Sequence, residues 1–350
     1  MNIKHNLQKR GGGGLRRVTA TALALLLLLF LLPLLLFGEP GDGAKAPVAT
    51  GSLPIDRTVV TPGVTADSQL SVRVQVGDGE VLTLPMDKYL WRVVAAEMPA
   101  SFEPEALKAQ AVAARTYTVS KMERTSEKHP DADVCTDIAC CQAYITPEEA
   151  AANWGDSAQT YTEKIAAAVA ATDGLAALYQ GRPIQAVFFS SAAGRTVDAV
   201  EVWGNAVPYL TGVDSPEGEE VPNYHTTVTV PAEEFRTKLL AEYPQADLSG
   251  EPSGWFANTV QNSAGGVDSV EVGGVAVTGA ALRTLFDLRS TSFTVAADAQ
   301  GVTFSVTGYG HGVGMSQYGA NALAKEGKTC DEILKWYYTG IDVAPYTPAV

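Results

Sequence analysis

An α+β fold is the class predicted by the order of hydrophobic patterns along this chain. Strand-type alternation opens the folded part in SVRVQVGDGEVLTLP from Ser71, two helical patterns follow it, and the C-terminal half mixes alternating strands with short helices. That mixture of strands and helices reads as α+β. We expect a single mixed domain over 69–345 with a small Cys/His-rich insertion, preceded by one transmembrane helix. No internal repeat is visible.

The N-terminal elements follow from composition. The chain has 350 residues and a formal net charge of −14, enough for one large core or two small ones. Its first seventeen residues carry Lys4, Lys9, Arg10, Arg16 and Arg17 and no acid, so the remainder holds about −19. That balance argues against nucleic acid or an anionic membrane surface as partner of the folded part. Residues 18–37, VTATALALLLLLFLLPLLLF, are apolar without a charge, and about 20 such residues span a bilayer. Arg16 and Arg17 keep 1–17 as a cytoplasmic tail and put everything after Gly38 outside the cytoplasm. A cleaved signal peptide is the rival, but Ala44-Lys45-Ala46 lies far from the apolar run and Pro47 follows directly. Residues 38–68, rich in Gly, Pro, Thr and Ala, read as a tether.

The Gly-Asp-Gly of 77–79 marks a hairpin between the first two strands. Asp87 is a candidate N-cap, and Leu90, Val93, Val94 and Glu97 recur at helical spacing, so a carboxylate falls where the next core residue belongs. Pro99 stops this helix, and Pro104 suits the first position of the next, which is long and alanine-rich. Lys108 and Arg115 lie two turns apart on one of its faces. Residues 123–162 are polar, hold three of the four cysteines and form the insertion, closed by a helix over 163–172. GRPIQAVFFSSAAGRT is a strand running into a small-residue turn. After a loop at 214–223, HTTVTVPAEEFRTKLL gives strand then helix, and strands with one helix continue to Gly308. MSQYGANALAKEG and CDEILKWYYTG supply the last helices.

Three groups of residues carry candidate chemistry. Glu97 on an apolar face is either paired to a cation, with Lys108 and Arg115 at hand, or catalytic at a helix end where clefts form. GYGHGVGMSQYG fails as a dinucleotide fingerprint, because no G-x-G has the required third glycine. It also fails as a hydrolase elbow, because Gly314-Met315-Ser316-Gln317-Tyr318 lacks the closing glycine. Its alternating glycines let backbone approach a flat ligand or a neighbouring strand, with His311, Ser316 and Gln317 as the polar groups nearby. His129, Cys135, Cys140 and Cys141 stand within thirteen residues and form the ligand set of a closed Cys3His zinc site; disulfides including Cys330 are the alternative for an extracellular chain.

AAEMPASFEPEALKAQAVAARTYT, SSAAGRT, VWG followed by VPYL, DLRSTSF and GYGHGVGMSQYGANALAKEGKTCDEILKWYYTG occur in order between Leu70 and Ile341. Together they resemble the stage II sporulation protein D family, which also names the amidase-enhancer domain of some autolysins. The resemblance implies a membrane-anchored lytic transglycosylase, acting at the septal and engulfing membrane on peptidoglycan glycan strands already stripped of stem peptides. It implies an engulfment complex with an amidase-endopeptidase and a polytopic membrane scaffold as partners. The glutamate of the Glu97-Met98-Pro99 motif corresponds to the family's catalytic residue, and a single acid suffices because the product is an internal 1,6-anhydro ring rather than a water adduct. Glu97 must then begin protonated, with a pKa raised by desolvation.

Lys108 and Arg115 match the family's K-A-Q-A-x-A-A-R-T pattern and either line the cleft or serve as structural cations. Ser190 and Ser191 lie in SSAAGRT, where Ala193 replaces a usual glycine; Ser190, with His311, Ser316 and Gln317, is assigned to glycan binding. Tyr337 and Tyr338 match an aromatic pair that either stacks on sugars or packs in the core. Family members from clostridia carry Cys and His at similar places, which implies structural zinc in the insertion. The alternative function is a non-catalytic glycan-binding or amidase-enhancing module.

Overall fold

The computed structural model describes residues 65–77, 79–124, 126–346 and 348. The tail 1–17, the apolar run 18–37 and most of the tether lie outside the described residues; among the described residues no helix is long and apolar enough to cross a membrane. The last tether residues belong to the fold, however. Thr65 caps a short helix Ala66–Gln69 with a reciprocal capping box, and Asp67 is buried. The folded part therefore begins before Leu70, where strand alternation first becomes readable.

Two strands, Ser71–Val76 and Glu80–Pro85, pair as the expected antiparallel hairpin, and Val72 and Val74 turn inward. Helix Met86–Glu97 follows directly. Its N-cap is Pro85, not Asp87, which sits in the first turn, because the strand runs into the helix without a residue free to cap. Pro104 opens the central helix Pro104–Met122 as expected. Thirteen of its nineteen residues are buried, and its alanines allow close approach of the helices Met86–Glu97, Ala158–Ala171, Gln317–Lys325 and Cys330–Tyr337, and of strand Leu175–Tyr179.

The 123–162 segment is tied in more tightly than an insertion would be. Val134–Cys135 adds a parallel strand to Ser71–Val76, and the closing helix Ala158–Ala171 starts earlier than its apolar pattern suggests, after a further helix Pro147–Trp154. The expected strand in GRPIQAVFFSS reduces to Arg182–Pro183 and Phe188–Phe189.

The described residues form one compact unit, built on two cores rather than one. The second core comprises two three-stranded antiparallel sheets over 225–307 with helices Ala232–Glu242 and Gly279–Leu285. Its centre is aromatic: the Phe235 and Phe286 rings stack at 4.7 Å, with Phe304 and Trp255 alongside.

Candidate active site

Helix Met86–Glu97 buries Leu90, Val93 and Val94 completely and ends on its glutamate. Met98 turns extended, its N–H closing on the Val94 carbonyl, and Pro99 prevents continuation. Glu97 is thereby held half-buried at the helix end. Its Oε1 accepts a hydrogen bond from the Ala143 N–H at 2.6 Å. Burial pushes its carboxyl above the usual carboxylate range, and the Ala143 N–H and the Gln317 side chain offset this only in part.

Glu97 opens into a cleft of about 540 Å³ and is the only carboxylate among the described residues lining it. Val187–Ser190 and Tyr309–His311 form the facing wall, with Gln317 beside the acid and Arg283 arriving from the second core. The glycines around His311 explain that wall. Gly310 has φ of +125° and a Cβ there would meet the Phe189 Cβ at 2.6 Å, so the alternating glycines let this segment lie against residues 187–192, with Ser191 and Tyr309 exchanging backbone hydrogen bonds. Of the two roles open for them, a neighbouring strand is thus the close contact, while Tyr309 and His311 turn to the cleft.

His311 is fixed and neutral. Its Nδ1 accepts from the Val313 N–H at 3.1 Å, its ring lies 5.5 Å from Phe189 and 5.8 Å from Trp203, and burial, aided by the charge of Arg283, lowers its pKa to about 4. Gln317 is nearly buried and donates to Gln110 Oε1 at 3.4 Å.

Glu97, Ser190, His311 and Gln317 are therefore brought together, whereas five other expected substrate residues are not among those lining the cleft. Arg115 is 2 % exposed and clamps Asp67 with contacts of 2.6 and 2.8 Å, donating also to the Leu175 carbonyl. Lys108 pairs with Glu105 at 2.6 Å. Ser316 caps helix Gln317–Lys325 and donates to buried Glu217. Tyr337 joins that network through Ser215 at 2.7 Å, and Ser215 reaches Glu217 at 2.5 Å. Tyr338 is fully buried and donates to the Val187 carbonyl. For both tyrosines core packing is what the structure shows, and for both cations a structural partner.

Ala143, Tyr117, Tyr309 and Arg283 also line the cleft and escape sequence reasoning. Ala143 acts through its backbone, which no side-chain pattern signals. Arg283 sits on a short helix that reads as scaffold.

The His129, Cys135, Cys140 and Cys141 donors gather within 4.8 Å of one another, a group that could hold a metal ion. All four cysteines are free thiols, and Cys330 stands apart, its N–H bound to Glu105. Cys140 and Cys141 sulfurs are 3.9 Å apart and His129 Nε2 is 3.4 Å from the Cys141 sulfur. A tetrahedron with metal–sulfur bonds of ~2.3 Å has sulfur–sulfur edges of about 3.8 Å, so the spacing fits. The Ala132 carbonyl, 3.0 Å from His129 Nδ1, can only accept, so Nδ1 donates to it and Nε2 is the ring nitrogen on the side of the thiols. Cys141 borders the cleft two residues before Ala143, which holds Glu97.

Comparison with known proteins gives the family. The family model described as Stage II sporulation protein matches residues 76–179, from the first hairpin through the metal-type cluster. Stage II sporulation protein D of Bacillus subtilis (strain 168) is 38% identical over 279 residues, 79% of this chain and 80% of that protein. Its counterpart from Bacillus amyloliquefaciens is 36% identical over 280 residues, again 79% and 80%. A Bacillus subtilis protein named amidase enhancer is 31% identical over 305 residues, 73% of this chain and 40% of its own length. Identity at this level, over 79% of the chain and 80% of each of these two relatives, means that the chain belongs to the stage II sporulation protein D family.

Proposed function

We propose that this chain is a sporulation lytic transglycosylase, anchored through residues 18–37 with its folded part outside the cytoplasm, which cleaves MurNAc-GlcNAc bonds of peptide-stripped peptidoglycan during engulfment. The observation that carries the reading is the lone, desolvated carboxyl group in the cleft. Ordinary glycoside hydrolases need a second carboxylate, as nucleophile or as base for water. With one acid, the sugar must supply its own nucleophile.

Protonated Glu97 donates its proton to the glycosidic oxygen as the C1–O bond breaks. The resulting carboxylate is held by the Ala143 N–H and the Gln317 amide, and it removes the proton of the C6 hydroxyl as O6 bonds to C1. The 1,6-anhydro end forms and Glu97 returns to its protonated state. Neutral His311, whose Nδ1 is already engaged by a backbone N–H, shapes the wall and does not compete for the proton. Zinc suits the three thiols and imidazole; His129, Cys135, Cys140 and Cys141 would hold it and it would supply rigidity, keeping Cys141 and hence the Ala143 donor in place. Partners in an engulfment complex, an amidase-endopeptidase and a polytopic scaffold, belong to the same proposal.

The test is to incubate the full-length protein in detergent with peptide-stripped glycan strands and to seek 1,6-anhydro-MurNAc ends by mass spectrometry. Wild type produces them and Glu97→Gln does not. The relative named amidase enhancer favours the second reading, a glycan-binding or amidase-enhancing module; binding by wild type without product would establish that reading instead.

A further inference from the structure

Arg283 is the only Lys or Arg among the described residues lining the Glu97 cleft, and the acid–base step does not use it. Helix Gly279–Leu285 delivers it from the second core, where Leu282 is fully buried. Its Nε donates to the Leu288 carbonyl at 3.2 Å, which fixes the base of the guanidinium. The remaining nitrogens make no hydrogen bond to the described residues, and Asp287, on the exposed turn beyond the helix, forms no ion pair with it. Arg289 differs: it lies 4.0 Å over the Tyr309 ring and outside the cleft lining.

A half-buried guanidinium with a free fork of donors, in a chain of net charge −14, is a site for a planar anion. It lines the same cleft as Glu97, on the His311 side, near enough for its charge to act on His311. A glycan strand carries one type of carboxylate, on the lactyl ether of muramic acid. That carboxylate is free only after the stem peptide has been removed; before removal it is an amide.

We propose that Arg283 binds the free lactyl carboxylate of a muramic-acid residue at the scissile bond, so that the cleft that cuts the strand also checks that its peptide is gone. This rests on the glycan-cleaving reading and is tested apart from it. The Glu97→Gln protein binds without turnover, and its affinity is measured for peptide-stripped strands and for the same strands with the lactyl carboxyl converted to a methylamide. The free acid should bind about tenfold more tightly or better, as a charge-assisted fork implies. Adding Arg283→Gln should collapse that ratio, and Arg283→Lys, which keeps the charge and loses the fork, should restore part of it. Equal affinity of the Arg283 protein for acid and methylamide would overturn the proposal while leaving the anhydro-product assay untouched. So would a ratio that survives Arg283→Gln but is lost in Arg124→Gln, in the neighbouring cavity of about 370 Å³ that shares Tyr117 and Val187.

Discussion

Removal of Arg115 separates a structural from a substrate-binding role most sharply. The Arg115 and Asp67 side chains are 2% and 3% exposed and share a bidentate contact. Arg115→Ala leaves the Asp67 carboxylate in the core with the Gly174 N–H at 3.4 Å as its other side-chain partner. Breaking one side of such a pair costs about 3–5 kcal/mol, because a charge remains without its counter-ion. At ~2–3 °C per kcal/mol for a domain of this size, the melting temperature should fall by roughly 6–15 °C. Differential scanning calorimetry on the full-length protein checks the shift. Replacing both partners, Asp67→Leu with Arg115→Met, should recover most of it, since a buried pair exchanged for apolar groups is close to neutral. At a temperature where the single variant is folded, its affinity for glycan strands should equal that of wild type. An unchanged melting temperature combined with a tenfold loss of strand affinity would refute this reasoning and return Arg115 to the cleft.

Other outcomes follow from the same geometry. Because burial raises the folded pKa of Glu97, the native state holds that proton more tightly than the unfolded chain; stability contributed at low pH is lost as pH rises from the ordinary carboxylate range through the raised one. Anhydro-product formation should decline over the same rise, and Glu97→Gln should abolish product while raising the melting temperature at neutral pH by a few degrees; an unchanged or lower value argues against desolvation as the cause. Stripping metal with a strong chelator, or Cys141→Ser, should lower the melting temperature and cut turnover at least tenfold by loosening the Ala143 donor; elemental analysis finding no metal, with two intact disulfides, would remove this explanation. Gly319→Ala drives a Cβ into Tyr337 Oη, Ser215 Oγ and Glu217 Oε2, so it should destabilise the protein by about 2 kcal/mol or more. Tyr337→Phe should cost about 1–2 kcal/mol without altering glycan affinity, whereas a loss of affinity would mean that the ring contacts sugar.

The acid was legible because helical periodicity placed a carboxylate where an apolar residue belonged and a proline ended the helix beside it. The metal-type cluster was legible because its four ligands are close in sequence. What escaped depends on distant pairing. Arg115 finds Asp67 across 48 residues and Tyr337 finds Ser215 across 122, and nothing in a cation or a tyrosine distinguishes a ligand-facing residue from one satisfied in the core. Glu217, which gathers Ala192, Ser215 and Ser316, lies in a stretch that reads only as a loop. The α+β class followed from the patterns, but its division into two cores did not, because alternation reveals strands and not which layer each one covers. Residues 184–192 read as a long strand since they are apolar; only Phe188–Phe189, in parallel with Met315–Ser316, and Ser191, bridging Tyr309, pair with the glycine segment, and no periodicity encodes those partners.

The short helix at Ala66 gives the fold a defined load path. Asp173 accepts hydrogen bonds from the Ala66 and Asp67 N–H groups at 2.9 Å each, and Asp67 grips Arg115 of the central helix. Any tension reaching the domain from upstream of Thr65 is therefore delivered to its most buried helix, not to the hairpin that follows, whose strands could otherwise be peeled apart one hydrogen bond at a time. Changes in the length of sequence upstream of Thr65 leave that attachment in place. A shortened protein keeps it only if the cut falls upstream of Thr65; a cut at Ser71, where the strands begin, removes the clasp and leaves Arg115 a buried cation without its counter-ion, held only by backbone carbonyls such as that of Leu175.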